Sequence, residues 1–136
     1  MSTSSSQSAV PPPVVIDHAD HERLQGLALR ALAGAPDLAG RLLAEIDRAR
    51  VLPSDSVPAD VVTLGAEVTF RDESTGRVRK VTLVYPGEAD IDQGKISIMT
   101  PIGVALIGLA VGASIDWLTR DGDERHLSVL AVSKPE

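Results

Sequence analysis

The chain has 136 residues, a formal charge of −6 and no cysteine. The missing thiols exclude disulfides, thiolate metal sites and a cysteine nucleophile, and the acidic balance argues against sequence-independent binding to nucleic-acid backbones. Hydrophobic residues make up 43% of the chain but aromatics only 2%, namely Phe70, Tyr85 and Trp117, so the core must be aliphatic and stacking platforms for bases or sugars are hard to build.

Residues 1–13 are Ser-rich and then Pro-rich. Such a segment buries too little apolar surface to offset its ordering entropy and is expected to be a disordered tail. It lacks the basic stretch followed by an apolar one that marks a secretory signal. Residues 14–16 form a brief extended lead-in, and Asp17 is a candidate helix cap with Asp20 favouring the positive end of the helix. Leu24, Leu27, Ala28, Ala31 and Leu32 recur at helical spacing and predict a helix over 18–33. Gly34, Ala35 and Pro36 stop it. A second helix is predicted over 37–50, with Leu38, Leu42, Leu43, Ile46 and Ala49 facing inward. So short a connection makes the two antiparallel, a helical hairpin spanning 14–52.

Residues 53–60, with two prolines, read as a linker to a second domain over 61–136. The period then changes. Strands are predicted over 61–70, 77–85 and 95–99, with a turn at 71–76 that needs Gly76 in a special conformation and an acidic loop at 86–94. Residues 100–112 are the most apolar run. Thr100 can cap a helix, Pro101 suits its first position, Ile102, Ala105 and Leu106 share a face, and Gly108 suits the left-handed residue that closes it. Strands at 113–118 and 126–132, joined by a turn at Asp121 and Gly122, complete the chain. The fold class is therefore α+β: a short antiparallel helical hairpin, then a mostly antiparallel twisted sheet with one short helix. The apolar stretch at 102–115 is too short for a membrane span and is interrupted by Asp116, so a soluble cytoplasmic protein without membrane contact is expected.

No strong catalytic constellation is present. His18 and His21, flanked by Asp17 and Asp20, would need a further ligand to hold a metal and read better as a polar first helical turn. Glu88, Asp90 and Asp92 lack the spacing of a calcium loop. Gly103 and Gly108 lack the Lys-Ser/Thr of a phosphate loop. His126 stands next to a turn with no nucleophile paired to it in sequence. Neither a cofactor nor a metal is expected. Arg77, Arg79 and Lys80 form a local basic patch, able to meet phosphates or an acidic partner, although the ordinary reading is solvent exposure. These residues alone describe a small interaction module.

A family pattern runs through the same residues. Gly65-Ala66-x-Val68, Ile96-Ser97-Ile98, Thr100-Pro101-Ile102-Gly103-x-Ala105-Leu106-Ile107-Gly108, Gly112-x-x-Ile115 and the final strand resemble the C-terminal domain of the bacterial transcript-cleavage (Gre) factors. With DHERL (20–24), LLAEIDRARVLP (42–53), DVVTLGAEVTF (60–70), LVYPGEAD (83–90) and SIMTPIGVALIGLAVG (97–112), nearly everything after residue 13 resembles the regulator of nucleoside diphosphate kinase family. The resemblance implies an FKBP-like C-terminal domain and binding to RNA polymerase near its secondary channel. It places docking at Met99, Thr100 and Pro101, with Met99 standing where Gre factors often have an acid. The family name makes nucleoside diphosphate kinase a second candidate partner.

Helices of about 14 residues reach only ~21 Å, roughly half the reach of a Gre coiled coil. The tip at 33–37 carries a single acid, Asp37, a poor candidate to deliver Mg²⁺. Asp37 is a candidate partner contact at the hairpin tip, or it simply favours the N-terminus of the second helix, and a non-enzyme without transcript cleavage is expected. Prolyl isomerase activity, the other function the fold analogy raises, is disfavoured by three dispersed aromatics.

Overall fold

The computed structural model describes residues 13–118 and 124–134. The expected tail, apart from Pro13, and the expected turn at Asp121 and Gly122 lie outside the described residues.

The chain opens with strand β1 (Val15–Asp17) and helix α1 (His18–Ala31). Asp17 caps α1, its carboxylate accepting the N–H of Ala19 at 2.8 Å and so satisfying one of the orphan donors of the first turn. After a tight turn, in which Gly34 and Ala35 both donate to the carbonyl of Ala31, Pro36 opens helix α2 (Pro36–Arg48). Leu24 and Ala28 on α1, and Ala39, Leu42 and Ile46 on α2, are fully or almost fully buried. The amphipathic stripes thus meet as their spacing predicts, except at Leu32, which lies past the end of α1 and is 39% exposed.

Both helices end about two residues before their predicted limits, and the cause at α2 is tertiary. Residues 50–52 form strand β2 (Arg50–Leu52), which pairs in parallel with β1 in the register Val15↔Arg50. The lead-in read as merely extended is thus half of a two-stranded clasp at the base of the hairpin. Within the expected linker, Ser54–Ser56 makes a single 3₁₀ turn.

A five-stranded sheet follows, in the order β5-β4-β3-β7-β6. Its strands are β3 (Glu67–Asp72), β4 (Arg77–Val84), β5 (Lys95–Ser97), β6 (Ser114–Leu118) and β7 (Glu124–Ser133). Every neighbouring pair is antiparallel except β4–β5, which is parallel. A register shift between Thr69 and Phe70 marks a bulge against β7, which bends a strand locally. The short helix α3 (Pro101–Leu106) lies between β5 and β6 in sequence.

The predicted first strand over 61–70 begins only at Glu67. Val61 and Val62 are consecutive and both buried, which a half-exposed strand does not allow. Instead Val61 bridges Ala110, and Val62 exchanges backbone hydrogen bonds with residues 108 and 109: its N–H donates to Leu109 at 2.8 Å and its carbonyl accepts from Gly108 at 2.9 Å. The segment is a buried strap along the end of α3. Gly65, at φ 88°, then turns the chain into β3.

The core is aliphatic, with Phe70 its one fully buried aromatic side chain among the described residues. Leu83, Ile98, Leu106, Leu109 and Leu127 surround the sheet-side centre, and Ile16, Leu24 and Leu42 continue it into the hairpin. Hairpin and sheet therefore share one apolar cluster rather than two.

A candidate docking site at the start of the short helix

The loop from β5 into α3 is built by three short-range hydrogen bonds. The N–H of Met99 donates to Ser97 Oγ at 2.9 Å. The Thr100 hydroxyl donates to the Ser97 carbonyl at 2.8 Å and accepts from the N–H of Gly103 at 3.1 Å. Thr100 is thus the helix cap that its position before Pro101 predicts. Gly103 closes the loop from behind. A Cβ there would lie 2.5 Å from the Ser97 carbonyl oxygen and 2.9 Å from both Ile98 Cα and its carbonyl oxygen. Residues 99–101 are consequently held in one shape while each stays partly exposed; the Met99 side chain also packs on the edge of the core.

The other end of α3 anchors the hairpin. Gly108 follows the helix at φ 80°, the left-handed conformation its place in the sequence predicts. Its carbonyl accepts the N–H of Val15 at 3.0 Å, and a Cβ on it would stand 2.3 Å from Val14 Cγ1 and 3.0 Å from the Val15 carbonyl oxygen. No side chain fits there, and β1 lies directly on the backbone of this turn.

A polar junction reinforces the anchor. The Tyr85 hydroxyl donates to Asp20 Oδ1 at 3.0 Å, and the Arg23 guanidinium lies 4.0 Å from the centre of the Tyr85 ring. Partial burial pushes the Asp20 carboxyl above its ordinary value, against the pull of the Tyr85 hydrogen bond, and burial likewise raises Tyr85, with Asp20 adding to it. Lys134 donates to Thr63 Oγ1 at 3.2 Å; burial lowers its pKa while Asp17, Asp20 and Asp60 draw it back up. Asp17 itself is held below the usual carboxylate range by hydrogen bonds from Ser54 and from the first turn of α1.

Of the four residues singled out from the sequence, Met99, Thr100 and Pro101 form this one loop. Asp37 stands apart. It is exposed in the first turn of α2, beside the interhelix turn, and makes no ion pair among the described residues. The tethering residues Asp20, Tyr85, Arg23 and Lys134 escape a reading of local pattern, since Asp20 and Tyr85 are 65 positions apart. His126, without a partner in sequence, meets Asp116 across the β6–β7 ladder, Nδ1 to Oδ1, on the exposed face. The three aromatics sit on separate elements: Phe70 in the core on β3, Tyr85 after β4 against α1, and Trp117 on β6.

Residues 57–134 match the family model described as transcription elongation factor, GreA/GreB, C-term, and residues 12–52 match the one described as Rnk N-terminus. The chain is 42% identical over 127 residues to the regulator of nucleoside diphosphate kinase of Escherichia coli K12, covering 92% of this chain and 93% of that protein. It is 40% identical over 78 residues to the transcription elongation factor GreA of Azorhizobium caulinodans, half of whose length is matched. Among solved structures, a transcription elongation factor GreA/GreB from Nitrosomonas europaea superposes with a TM-score of 0.71 at 36% identity, covering 90% of this chain and 98% of that one. With a helical hairpin matching one family model and a sheet domain matching the other, the chain belongs to the regulator of nucleoside diphosphate kinase family, built on a Gre-factor-like fold.

Proposed function

We propose that this regulator acts by docking on RNA polymerase near its secondary channel, in competition with Gre-type factors and without cleaving transcripts. The observation that carries the reading is the locked loop at residues 99–101, on a domain matched by the GreA/GreB model. A loop already fixed by Ser97, Thr100 and Gly103 loses little conformational freedom on binding. The hairpin supports the non-catalytic half of the proposal. Its helices have 14 and 13 residues, a reach of about 20 Å. Its tip offers Asp37 as a lone carboxylate, too few oxygen ligands for Mg²⁺. Asp37 serves in this reading as a rim contact. The cytoplasm is the compartment such a role requires, and no described helix is long and apolar enough to cross a membrane.

The test is a pull-down of the tagged protein from its own cell extract, paired with a cleavage assay on arrested elongation complexes. Recovery of polymerase subunits, no RNA shortening, and displacement by a Gre factor are expected; robust shortening would sink the proposal. A second reading, direct binding to nucleoside diphosphate kinase, is favoured by the name of the Escherichia coli relative. Recovery of the kinase without polymerase subunits would replace the first reading with this one.

A further inference from the structure

Strand β4 is longer than its cover. It pairs with β3 from Arg77 to Thr82, but β5 reaches only Thr82, Leu83 and Val84. Cover ends at Gly94, which accepts the N–H of Thr82 at 2.7 Å and lies against the Lys80 carbonyl. The hydrogen-bond parity then settles which groups face the open side. Leu83 bonds toward β3, donating to Ala66 at 3.1 Å and accepting from Gly65 at 2.6 Å, whereas Thr82 bonds toward β5. Odd-numbered residues of β4 therefore serve β3, and the N–H and C=O groups of Val78 and the N–H of Lys80 point to an edge left uncovered among the described residues.

The side chains on the open half of β4 are basic or apolar, and the acid opposite them on β3, Asp72 across from Arg77, is bonded to Arg125. Arg77, Arg79 and Lys80 lie on β4, and Arg71 stands opposite Val78 on β3, in a chain whose total charge is −6. Val78 among them is 53% exposed. A second copy pairing through the same edge would set these cations against each other, which is unfavourable. A nucleic acid would meet the charge but has no alternating donors and acceptors to match Val78 and Lys80.

We propose that the open half of β4 receives an extended, carboxylate-bearing segment of another protein by strand addition. Backbone pairing at Val78 and Lys80 supplies the register, Val78 is covered, and the flanking cations hold the partner's acids. The inference is independent of polymerase docking, since it uses the first half of β4, whereas residues 99–101 follow β5 beyond its pairing with the end of β4.

The experiment is amide hydrogen exchange on the full chain, with and without a capped synthetic peptide of alternating Glu and Val. Slowing of about tenfold or more at the Val78 and Lys80 amides is expected, with Arg79, already bonded to β3, little changed. Val78→Pro, tolerable on an edge strand, should abolish peptide binding while leaving the unfolding midpoint near that of the parent. If that variant does not fold, the exchange pattern of the parent chain still decides. No slowing at Val78 and Lys80 overturns the proposal. So does equal slowing by an alternating Lys and Val peptide, or stronger binding of single-stranded oligothymidylate, which would mark a phosphate-binding patch instead.

Discussion

Tyr85 and Asp20, 65 positions apart in sequence, meet hydroxyl to carboxylate at 3.0 Å and tie the first helix to the end of β4. Tyr85→Phe removes the donor and leaves a half-buried carboxylate short of a partner. A loss of about 1 kcal/mol is expected in urea unfolding, with weaker protection of α1 amides than of sheet amides. Asp20→Asn, which keeps an acceptor and removes the charge, should cost less.

The same carboxylate sets a pH signature. Asp20 has a raised pKa in the folded chain, so its protonated form is favoured by folding: its contribution is full below the ordinary carboxylate pKa and is lost as pH rises through the raised value. Asp17 and Asp72 are shifted the other way. Asp17 is lowered mainly by the hydrogen bond from Ser54; Asp72, despite burial, is lowered by the Ser74 N–H and by Arg125 at 2.8 Å. Their contributions are present above the ordinary carboxylate pKa and are lost as pH falls through the lowered values. Acid unfolding of Asp20→Asn should therefore be steeper than that of the parent, and that of Asp72→Asn shallower, by midpoints measured across a pH series.

Thr100→Ala deletes both the cap on α3 and the bond to the Ser97 carbonyl. A loss of about 1 kcal/mol is expected, and Thr100→Ser should recover most of it. If residues 99–101 dock on the polymerase, Thr100→Ala should also weaken recovery of polymerase subunits more than its stability loss explains.

Gly103→Ala is expected to be worse than Thr100→Ala. Its methyl group would press on the backbone of Ser97 and Ile98, which cannot step aside as a side chain would; overpacking of this kind costs about 1–3 kcal/mol. A thermal midpoint no lower than that of the parent would contradict the close approach.

Gly108→Ala carries two penalties, the left-handed backbone and the collision with Val14 and Val15. A loss above about 2 kcal/mol is expected. Adding Val14→Ala should relieve only part of it, because the φ of 80° and the nearby Val15 backbone remain. Full recovery in the double variant would show that the side-chain clash was the whole effect.

What was legible in the sequence was local. Thr100, Pro101 and Gly108 announce α3 because a cap, a first-turn proline and a left-handed closing residue act within one or two turns of chain. The helical stripes of α1 and α2 are visible for the same reason. The β1–β2 clasp was not, because three-residue strands 35 positions apart carry no periodicity of their own. The pattern at Val61 and Val62 is ambiguous because β-branched residues report burial as readily as strand; here the burial lies against the turn after α3. Within the site, the loop at 99–101 was legible and its tethers were not, since nothing near Asp20 announces Tyr85.

Residues 102–107, about 9 Å at helical rise, separate the loop at 99–101 from the turn on which β1 hangs. Loop and hairpin are thus the two ends of a single strut, and a partner that grips one fixes the bearing of the other. A hairpin transplanted from a relative at residues 53–60 would arrive with the right length and the wrong aim unless Val14, Val15 and the bare Gly108 travelled with it.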